Sequence, residues 1–356
     1  MATGGSDGAS ATSPTGRWRA AVVGCGDVSV NHFDAIAADP TIELVGVADT
    51  DPTRRRSASA TNGVPGFATV DDLLDAVPVD VVHVCTPHDQ HVPVSLSALR
   101  RGVNVLQEKP LATTMAQGRM LADAVDAGTA KFAVCYQNRY NEASRRAHDL
   151  IAAGELGEIR GGYGSCVWTR TVDYYRARPW RASWQQAGGG VLINQAIHTL
   201  DLLQWLLGGV TDVQGWAGQL KFAGITEVED TAVARFTHPG GRISTFFATV
   251  ADEVGRAAEV EIVGSRGTLL IRDGLRVELE DRDPMFFPEP SAPGRGRSYW
   301  GHSHARLIAD FYARLADPQP FWIGAREAFT SLWMVKSIQQ QSEELAGRRG
   351  RPGTSR

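Results

Sequence analysis

The sequence predicts an α/β protein in which a doubly wound parallel sheet is followed by an α+β domain built on a large, mainly antiparallel sheet. Three observations predict it. From Arg19 onward, short β-branched runs alternate with helical patterns, as in a parallel sheet covered by helices. Beyond Gly154, apolar and polar residues alternate along strand-like segments, as in an antiparallel sheet with one open or partner-covered face. A chain of 356 residues also exceeds the usual size of one hydrophobic core, so two domains are expected.

In order, the first domain (18–140) carries strand runs at 19–24, 42–49, 79–86, 104–107 and 131–137. They are mostly continuous apolar stretches, as strands buried on both faces are. Helices are expected at 28–38, 71–77, 91–101 and 115–127. The second domain (141–346) opens with a helix over 142–153 that ends at Gly154. Strands follow at 159–168, 210–218, 229–237, 242–250, 258–263, 268–271 and 275–280. One helix, 190–207, interrupts them, and two more, 304–315 and 325–345, close the chain. Pro, Gly and Ser mark 284–299 as a loop, long enough to be either functional or a plain surface excursion.

Composition narrows the function. Hydrophobic residues make up 43% and charged residues 21%, an ordinary globular balance. A net charge of -4 gives no concentrated basic face, so neither nucleic acid nor a membrane is expected as partner. No apolar run approaches the roughly 20 residues that span a bilayer. Residues 1–17 are rich in Gly, Ser, Thr and Ala without an apolar stretch; they read as a flexible tail and not a signal peptide. Residues 347–356 read as a second loose end. Cys25, Cys85, Cys135 and Cys166 are far apart and form no Cys-x-x-Cys pair, which reads as reduced thiols in a cytoplasmic protein. No metal site is expected: His302 and His304 have no carboxylate or cysteine near them in sequence. His304 is expected to start a helix near the pocket. An enzyme or a small-ligand binder remains.

The run Ala20 to Ser29 (AAVVGCGDVS) is a strand, a glycine turn and a helix start. Gly24 permits the tight turn, and Gly26 lets the backbone approach a pyrophosphate at the positive end of the helix. Asp27 and Val28 complete the turn, and Ser29 fills the third glycine position. Asp49 ends the second strand, where a carboxylate suits the adenosine ribose hydroxyls and repels a 2′-phosphate, favouring NAD over NADP. Arg54, Arg55 and Arg56 keep NADP open as an alternative.

Two further motifs, GVNVLQEKP (102–110) and GGGVLINQAIHTLD (188–201), join TPHDQH (86–91) in this order. Together they closely resemble the glucose-fructose oxidoreductase, inositol dehydrogenase and rhizopine catabolism family, Gfo/Idh/MocA, over about Trp18 to Leu345. The resemblance implies a Rossmann-type NAD domain, with Thr86, Pro87, His88, His91, Glu108 and Asn138 joining the glycine turn and Asp49 around the cofactor. It also implies that Lys109 sits beside the nicotinamide as the acid/base group, with Glu108 contacting the cofactor or orienting it. His198 occupies the second catalytic position. Many members carry an aspartate four residues before that histidine, whereas this chain has Asn194. Asparagine can bind a substrate hydroxyl but cannot stabilise an imidazolium as a carboxylate does. Lys109 is therefore assigned the proton transfer first, and His198 shares it or positions the hydroxyl.

Arg139, Trp180, Arg181 and Asn194 are candidate substrate ligands, with Trp184, Tyr174, Tyr175 and Arg178 as companions. Asp201 is read as structural, with a contact to His198 left open, and Trp168 as core. The implied substrate is a sugar, glycoside or cyclitol bearing a secondary hydroxyl. Two alternatives stay open: a nucleotide-sugar 3-dehydrogenase using Arg170, Arg176, Arg178 and Arg181, and a non-catalytic dinucleotide sensor. Relatives pair through the open sheet face, so a homodimer or homotetramer is expected.

Overall fold

The computed structural model describes residues 16–290 and 303–349. The first sheet is built from β1 (Trp18–Val23), β2 (Ile42–Ala48), β3 (Gly66–Phe67), β4 (Val81–Val84), β5 (Asn104–Gln107) and β6 (Phe132–Val134). All six strands run parallel in the order β3-β2-β1-β4-β5-β6. Its centre is apolar on both faces: Ala20, Ala21, Val22, Val81, Val82 and Val84 are fully buried. Helices α1 (Ser29–Ala38), α2 (Pro52–Asn62), α3 (Val70–Ala76), α4 (His91–Arg100) and α5 (Met115–Ala127) connect the strands. The order reverses between β1 and β4, which opens a crevice at the carboxyl ends of those strands.

Helix α2 and the two-residue β3 are additions to the sequence reading. Helix α2 buries no residue, so it has no apolar stripe to betray it. Its start is nonetheless written locally: the Asp51 side chain accepts from the Thr53 and Arg54 amides, and Pro52 takes the first turn.

Helix α6 (Glu142–Ala152) leads into the second domain. There β7 (Ile159–Val167) is followed by α7 (Val172–Arg176), α8 (Trp184–Ala187), α9 (Val191–Asn194) and α10 (Ile197–Leu207). Strands β8 (Asp212–Gly218), β9 (Thr231–Thr237), β10 (Ile243–Thr249), β11 (Glu259–Gly264), β12 (Gly267–Ile271), β13 (Gly274–Leu279) and β14 (Arg282–Pro288) complete an eight-stranded sheet. Its order is β14-β13-β12-β11-β7-β10-β9-β8, antiparallel except for the β7–β10 pair. Helix α10 packs on β7 and closes one face with Leu200, Leu203 and Leu207.

Three expectations need correction. The helix expected over 190–207 is broken, because the Ala196 amide donates to the Val191 carbonyl five residues back at 2.8 Å. That widened turn is of π type and separates α9 from α10. The loop expected over 284–299 begins as an edge strand: Met285, Phe286 and Phe287 pair with β13. Prolines 284 and 288 are tolerated there because an edge strand has spare backbone positions. Residues 291–299 of that loop, like His302 and residues 1–15 and 350–356, lie outside the described residues. The expected C-terminal loose end is helical up to Arg349.

The last two helices, α11 (Ser303–Ala313) and α12 (Ala325–Arg349), return to the first domain. Helix α11 packs on α1 and α12 on α5, and the Val134 amide donates to the Ile323 carbonyl at 3.0 Å. Among the described residues no helix is long and apolar enough to cross a membrane.

Candidate active site

Residues of both domains line one cleft of about 1780 Å³. A drug-sized ligand needs roughly 300–1,000 Å³. The cleft therefore has room for a dinucleotide and a second molecule.

At one end stands the glycine turn. Gly24 has φ 91°, and a Cβ there would lie 2.6 Å from the Cys85 carbonyl carbon, so no other residue fits. A Cβ on Gly26 would meet nothing within 4 Å, which leaves the backbone open to a ligand. Helix α1 has no side chain capping its N-terminus, whose positive end of the helix dipole favours an anion. Ser29 is buried and folds its hydroxyl onto the Gly26 carbonyl at 2.7 Å, a small residue serving in the third glycine position.

Asp49 ties the turn to β2. Its carboxylate accepts from the Cys25 amide and the Asp51 amide, both at 2.8 Å, and still lines the cleft. Of the three arginines that follow, Arg54 alone reaches the cleft, while Arg55 donates to the Asp49 carbonyl. Asp49→Ala is expected to raise the Kd for NAD about tenfold, the loss of a charged hydrogen bond, and to narrow the preference over NADP. Fluorescence titration with both dinucleotides checks this; an unchanged ratio would move the discrimination to Arg54.

The other end is built on the strand end of β5. The Lys109–Pro110 bond is cis. Lys109 extends across the cleft and donates from Nζ to the Asn194 carbonyl at 3.0 Å, beside the break between α9 and α10. Burial draws the Lys109 pKa below the ordinary lysine value, Glu108 opposes that shift and Arg181 adds to it. His198 begins the first turn of α10, with Nε2 3.4 Å from the Gln137 amide nitrogen. Burial, then the nearby Lys109, hold the His198 pKa well below the ordinary value, so its imidazole is neutral.

The glycine run places these groups. A Cβ on Gly190 would sit 1.9 Å from the Glu229 carbonyl oxygen, the same oxygen that accepts from the Val191 amide. Only glycine lets α9 start that close to the strand behind it.

Of the residues expected to be catalytic, to bind the cofactor or to lead the substrate contacts, all line the cleft except Arg139. Its assignment as a substrate ligand is wrong in geometry: Arg139 is 1% exposed and its guanidinium is bound by Asp201 at 2.7 and 2.8 Å and by Glu327 at 2.7 Å. Asp201 is thus committed to Arg139 and Ser331. His91 lines the cleft but spends its ring on the backbone, with Nδ1 2.8 Å from the Pro110 carbonyl and Nε2 3.1 Å from that of Thr86. The neutral ring has one N–H and donates it to one of these two carbonyls, which seats it between the two cleft loops. His88 likewise meets the Ala187 carbonyl at 2.9 Å and packs its ring edge on Trp180. Asp27 bridges the domains through Arg178 and Arg181.

The aromatic wall also differs from expectation. Trp168 is half-buried, packs against the core as expected and also lines the cleft, with the Arg170 guanidinium over its ring. Tyr174 is flanked by Arg170 and Arg181. Trp184 lies outside the cleft lining, as do Tyr175 and Arg176.

Glu108 is the centre of a cluster that the motifs did not reveal. Its Oε1 lies 3.2 Å from His32 Nε2 and 2.9 Å from His304 Nε2, and its Oε2 accepts from the Lys109 amide at 3.3 Å. Burial pushes the carboxyl pKa up, but the hydrogen bonds from His304 and His32 outweigh it and hold Glu108 ionised. His32, Glu108 and Cys135 bring one donor atom each within 4.8 Å of one another, a spacing that metals also use. Here hydrogen bonds occupy it, with the other nitrogen of His32 taken by His83. The signal for His32 was local: it lies three residues beyond Ser29, on the buried face of α1.

Thr86 Oγ1, Gln137 Oε1, Thr169 Oγ1, Arg170 Nε and His198 Nδ1 are buried without a hydrogen-bond partner among the described residues, and all five residues line the cleft. Buried polar atoms are costly when unpaired, so their convergence marks a place that ligands complete. With the open cradle at Gly26, these residues fit a nicotinamide dinucleotide.

Comparison with known proteins agrees. Residues 18–136 match the model for the oxidoreductase family with an NAD-binding Rossmann fold, and residues 144–270 match the GFO/IDH/MocA C-terminal domain. The putative UDP-kanosamine synthase oxidoreductase subunit of Amycolatopsis mediterranei is 28% identical over 93% of this chain and 97% of that protein. Inositol 2-dehydrogenase of Rubrobacter xylanophilus is 29% identical over 70% of each chain. Three of the sequence relatives are matched over 55%, 66% and 97% of their own lengths. The WlbA dehydrogenase of Bordetella pertussis, solved with NADH and UDP-GlcNAcA, superposes with a TM-score of 0.80 at 27% identity, covering 92% of this chain and 97% of that one. The chain belongs to the GFO/IDH/MocA oxidoreductase family, and its first domain is the family's NAD-binding Rossmann domain.

Proposed function

We propose that this chain is an NAD(H)-dependent dehydrogenase that interconverts a secondary hydroxyl and a ketone on a sugar, glycoside or cyclitol. One observation carries the reading: a half-buried lysine amine, Lys109 Nζ, held at the Asn194 carbonyl inside a cleft whose other end is a dinucleotide cradle. The bound nicotinamide supplies hydride acceptance and donation. The chain supplies the rest. In oxidation, neutral Lys109 takes the hydroxyl proton as the carbon loses hydride; in reduction, its ammonium returns that proton. His198, neutral and with Nδ1 unpartnered, orients the hydroxyl, and the Asn194 side chain binds a neighbouring one. Trp168, Tyr174 and Trp180 offer flat apolar faces to a sugar ring.

A second substrate reading has its own support. Arg170, Arg178 and Arg181 all line the cleft, an arrangement suited to the diphosphate of a nucleotide-linked sugar. Incubation with NAD and matched pairs of free and nucleotide-linked sugars, plus cyclitols, separates the two through the absorbance of reduced nicotinamide. Turnover of free sugars or cyclitols supports the first reading and turnover of nucleotide sugars the second. Cofactor binding with no turnover across the panel would contradict both and favour a sensor.

The working form in this reading is a cytoplasmic homo-oligomer. Cys25, Cys85, Cys135 and Cys166 are all free thiols, which suits a reducing compartment. On the sheet face away from α10, Trp216, Val233 and Phe247 form one register row across β8, β9 and β10, and Trp216 and Val233 are 37% and 45% exposed. A second copy of the same face would bury that row. Val233→Arg is expected to convert the oligomer to monomers in analytical ultracentrifugation; an unchanged sedimentation coefficient would refute this interface.

A further inference from the structure

A line of four side chains leaves the Lys109 end of the cleft and runs through the first domain. Glu108 Oε1 lies 3.2 Å from His32 Nε2, His32 Nδ1 lies 2.9 Å from His83 Nδ1, and His83 Nε2 lies 2.9 Å from the Tyr312 hydroxyl. His32 and His83 are fully buried, and Glu108 and Tyr312 are 4% exposed. The line joins α1, β4 and α11 to the strand end of β5, and its outer end lies within electrostatic reach of Asp80 and Asp39. Those two residues belong to the amino-terminal edge of the sheet, opposite the cleft.

The proton count in this line is constrained. A neutral imidazole has one N–H donor and one bare acceptor nitrogen. Burial holds both His32 and His83 below the ordinary histidine pKa, so both are neutral. With Glu108 ionised, His32 must donate from Nε2 and accept at Nδ1. His83 then donates from Nδ1 and accepts the Tyr312 proton at Nε2. Three links hold three protons, all pointing the same way.

We propose that Glu108, His32, His83 and Tyr312 form a proton path that exchanges the acid/base proton of the cleft with solvent at the opposite edge of the first domain. One inward passage breaks the Tyr312 O–H bond and forms His83 Nε2–H. It moves the His83 Nδ1 proton to His32 Nδ1 and the His32 Nε2 proton to Glu108 Oε1, while a solvent water gives up one O–H proton to the Tyr312 oxygen and leaves as hydroxide into bulk solvent. The outward passage reverses each bond change. Glu108 lines the cleft beside Lys109, so it hands the proton on there. The charged and titratable groups that face the line are Lys109, His304, His198, His88, His91, Cys85 and Cys135 at the cleft end and Asp39 and Asp80 at the other. The path matters when dinucleotide and substrate fill the cleft mouth, which closes the direct route for water.

This inference rests on the acid/base reading of the cleft for its purpose, but its test needs no turnover. In the NAD-saturated protein with ¹⁵N-labelled histidine, NMR measures solvent exchange of the ring N–H protons of His32 and His83. Tyr312→Phe keeps the ring that stacks on His83 and removes the hydroxyl. It is expected to slow ring N–H exchange about a hundredfold, the lower range of what a positioned proton carrier contributes, with the Val82 and Val84 amides unchanged. His83→Asn, read at His32, gives the same result by a second break. Ring exchange that is unchanged in either variant, or that changes together with the Val82 and Val84 amides, would overturn the path. Failure of the substrate panel with slowed exchange would overturn the proposed function and leave the path standing.

Discussion

Lys109→Ala is expected to lower the turnover number by about 10²–10⁴-fold, the span contributed by a positioned general acid or base. The dinucleotide Kd should stay where it is, because Gly24, Gly26 and Asp49 hold the other end of the cleft. The pH profile gives the same assignment independently. Burial lowers the Lys109 pKa first of all, so its titration is brought down from the ordinary lysine value. Oxidation needs the free amine and should rise with pH through that pKa; reduction needs the ammonium and should fall through it. His198 stays neutral down to well below its ordinary value and adds no limb at high pH. In Lys109→Ala both limbs should vanish. Steady-state rates from neutral to alkaline pH, with calorimetric NAD titration of the same variant, check this. An equal loss of binding and turnover would sink the catalytic role.

Asp201→Ala should instead be a stability variant. Arg139 and Asp201 are each 1% exposed and share two hydrogen bonds, with Glu327 as a further anionic partner. Removing Asp201 strands part of a buried guanidinium charge, a change that typically costs about 3–5 kcal/mol. The denaturation midpoint should fall accordingly, while the NAD Kd of the remaining folded protein stays near that of the parent. A loss of activity with the midpoint unchanged would place Asp201 in the chemistry through His198.

The contrast between these two residues shows what a linear reading can reach. Gly24, Asp49 and Lys109 were legible because each belongs to a short strand-turn-helix or strand-end motif whose geometry is local. Arg139 was not. A strand-end arginine looks the same in sequence whether it faces a cleft or a buried carboxylate 62 residues on. The cluster of His32, Glu108 and His304 was hidden for the same reason, since |i−j| between its members is 76 and 196.

The fold divides along similar lines. The first sheet was readable from continuous apolar runs that burial on both faces demands. Helix α2 buries nothing and so left no periodic trace, and β14 was masked by its two prolines. The break between α9 and α10 has a tertiary cause: the Glu229 carbonyl, from the strand side, takes the Val191 amide and fixes where the helix begins. Apolar periodicity runs straight through that break. The Asn194 carbonyl beside it is the one that meets Lys109, so the feature least visible in sequence is the one that positions the lysine amine in the cleft.

The central claim is direct hydride transfer between a ring carbon of the substrate and nicotinamide inside this cleft. The measurement that tests it is mass analysis of reduced nicotinamide formed from NAD and C-deuterated myo-inositol, glucose and a UDP-linked sugar in protonated water. The account predicts one deuterium carried from a ring carbon into the reduced cofactor with at least one of them, and the same labelled product formed about 10²–10⁴-fold more slowly with Lys109→Ala. Reduced cofactor without deuterium, or no reduced cofactor with any of the three while NAD remains bound, would contradict it.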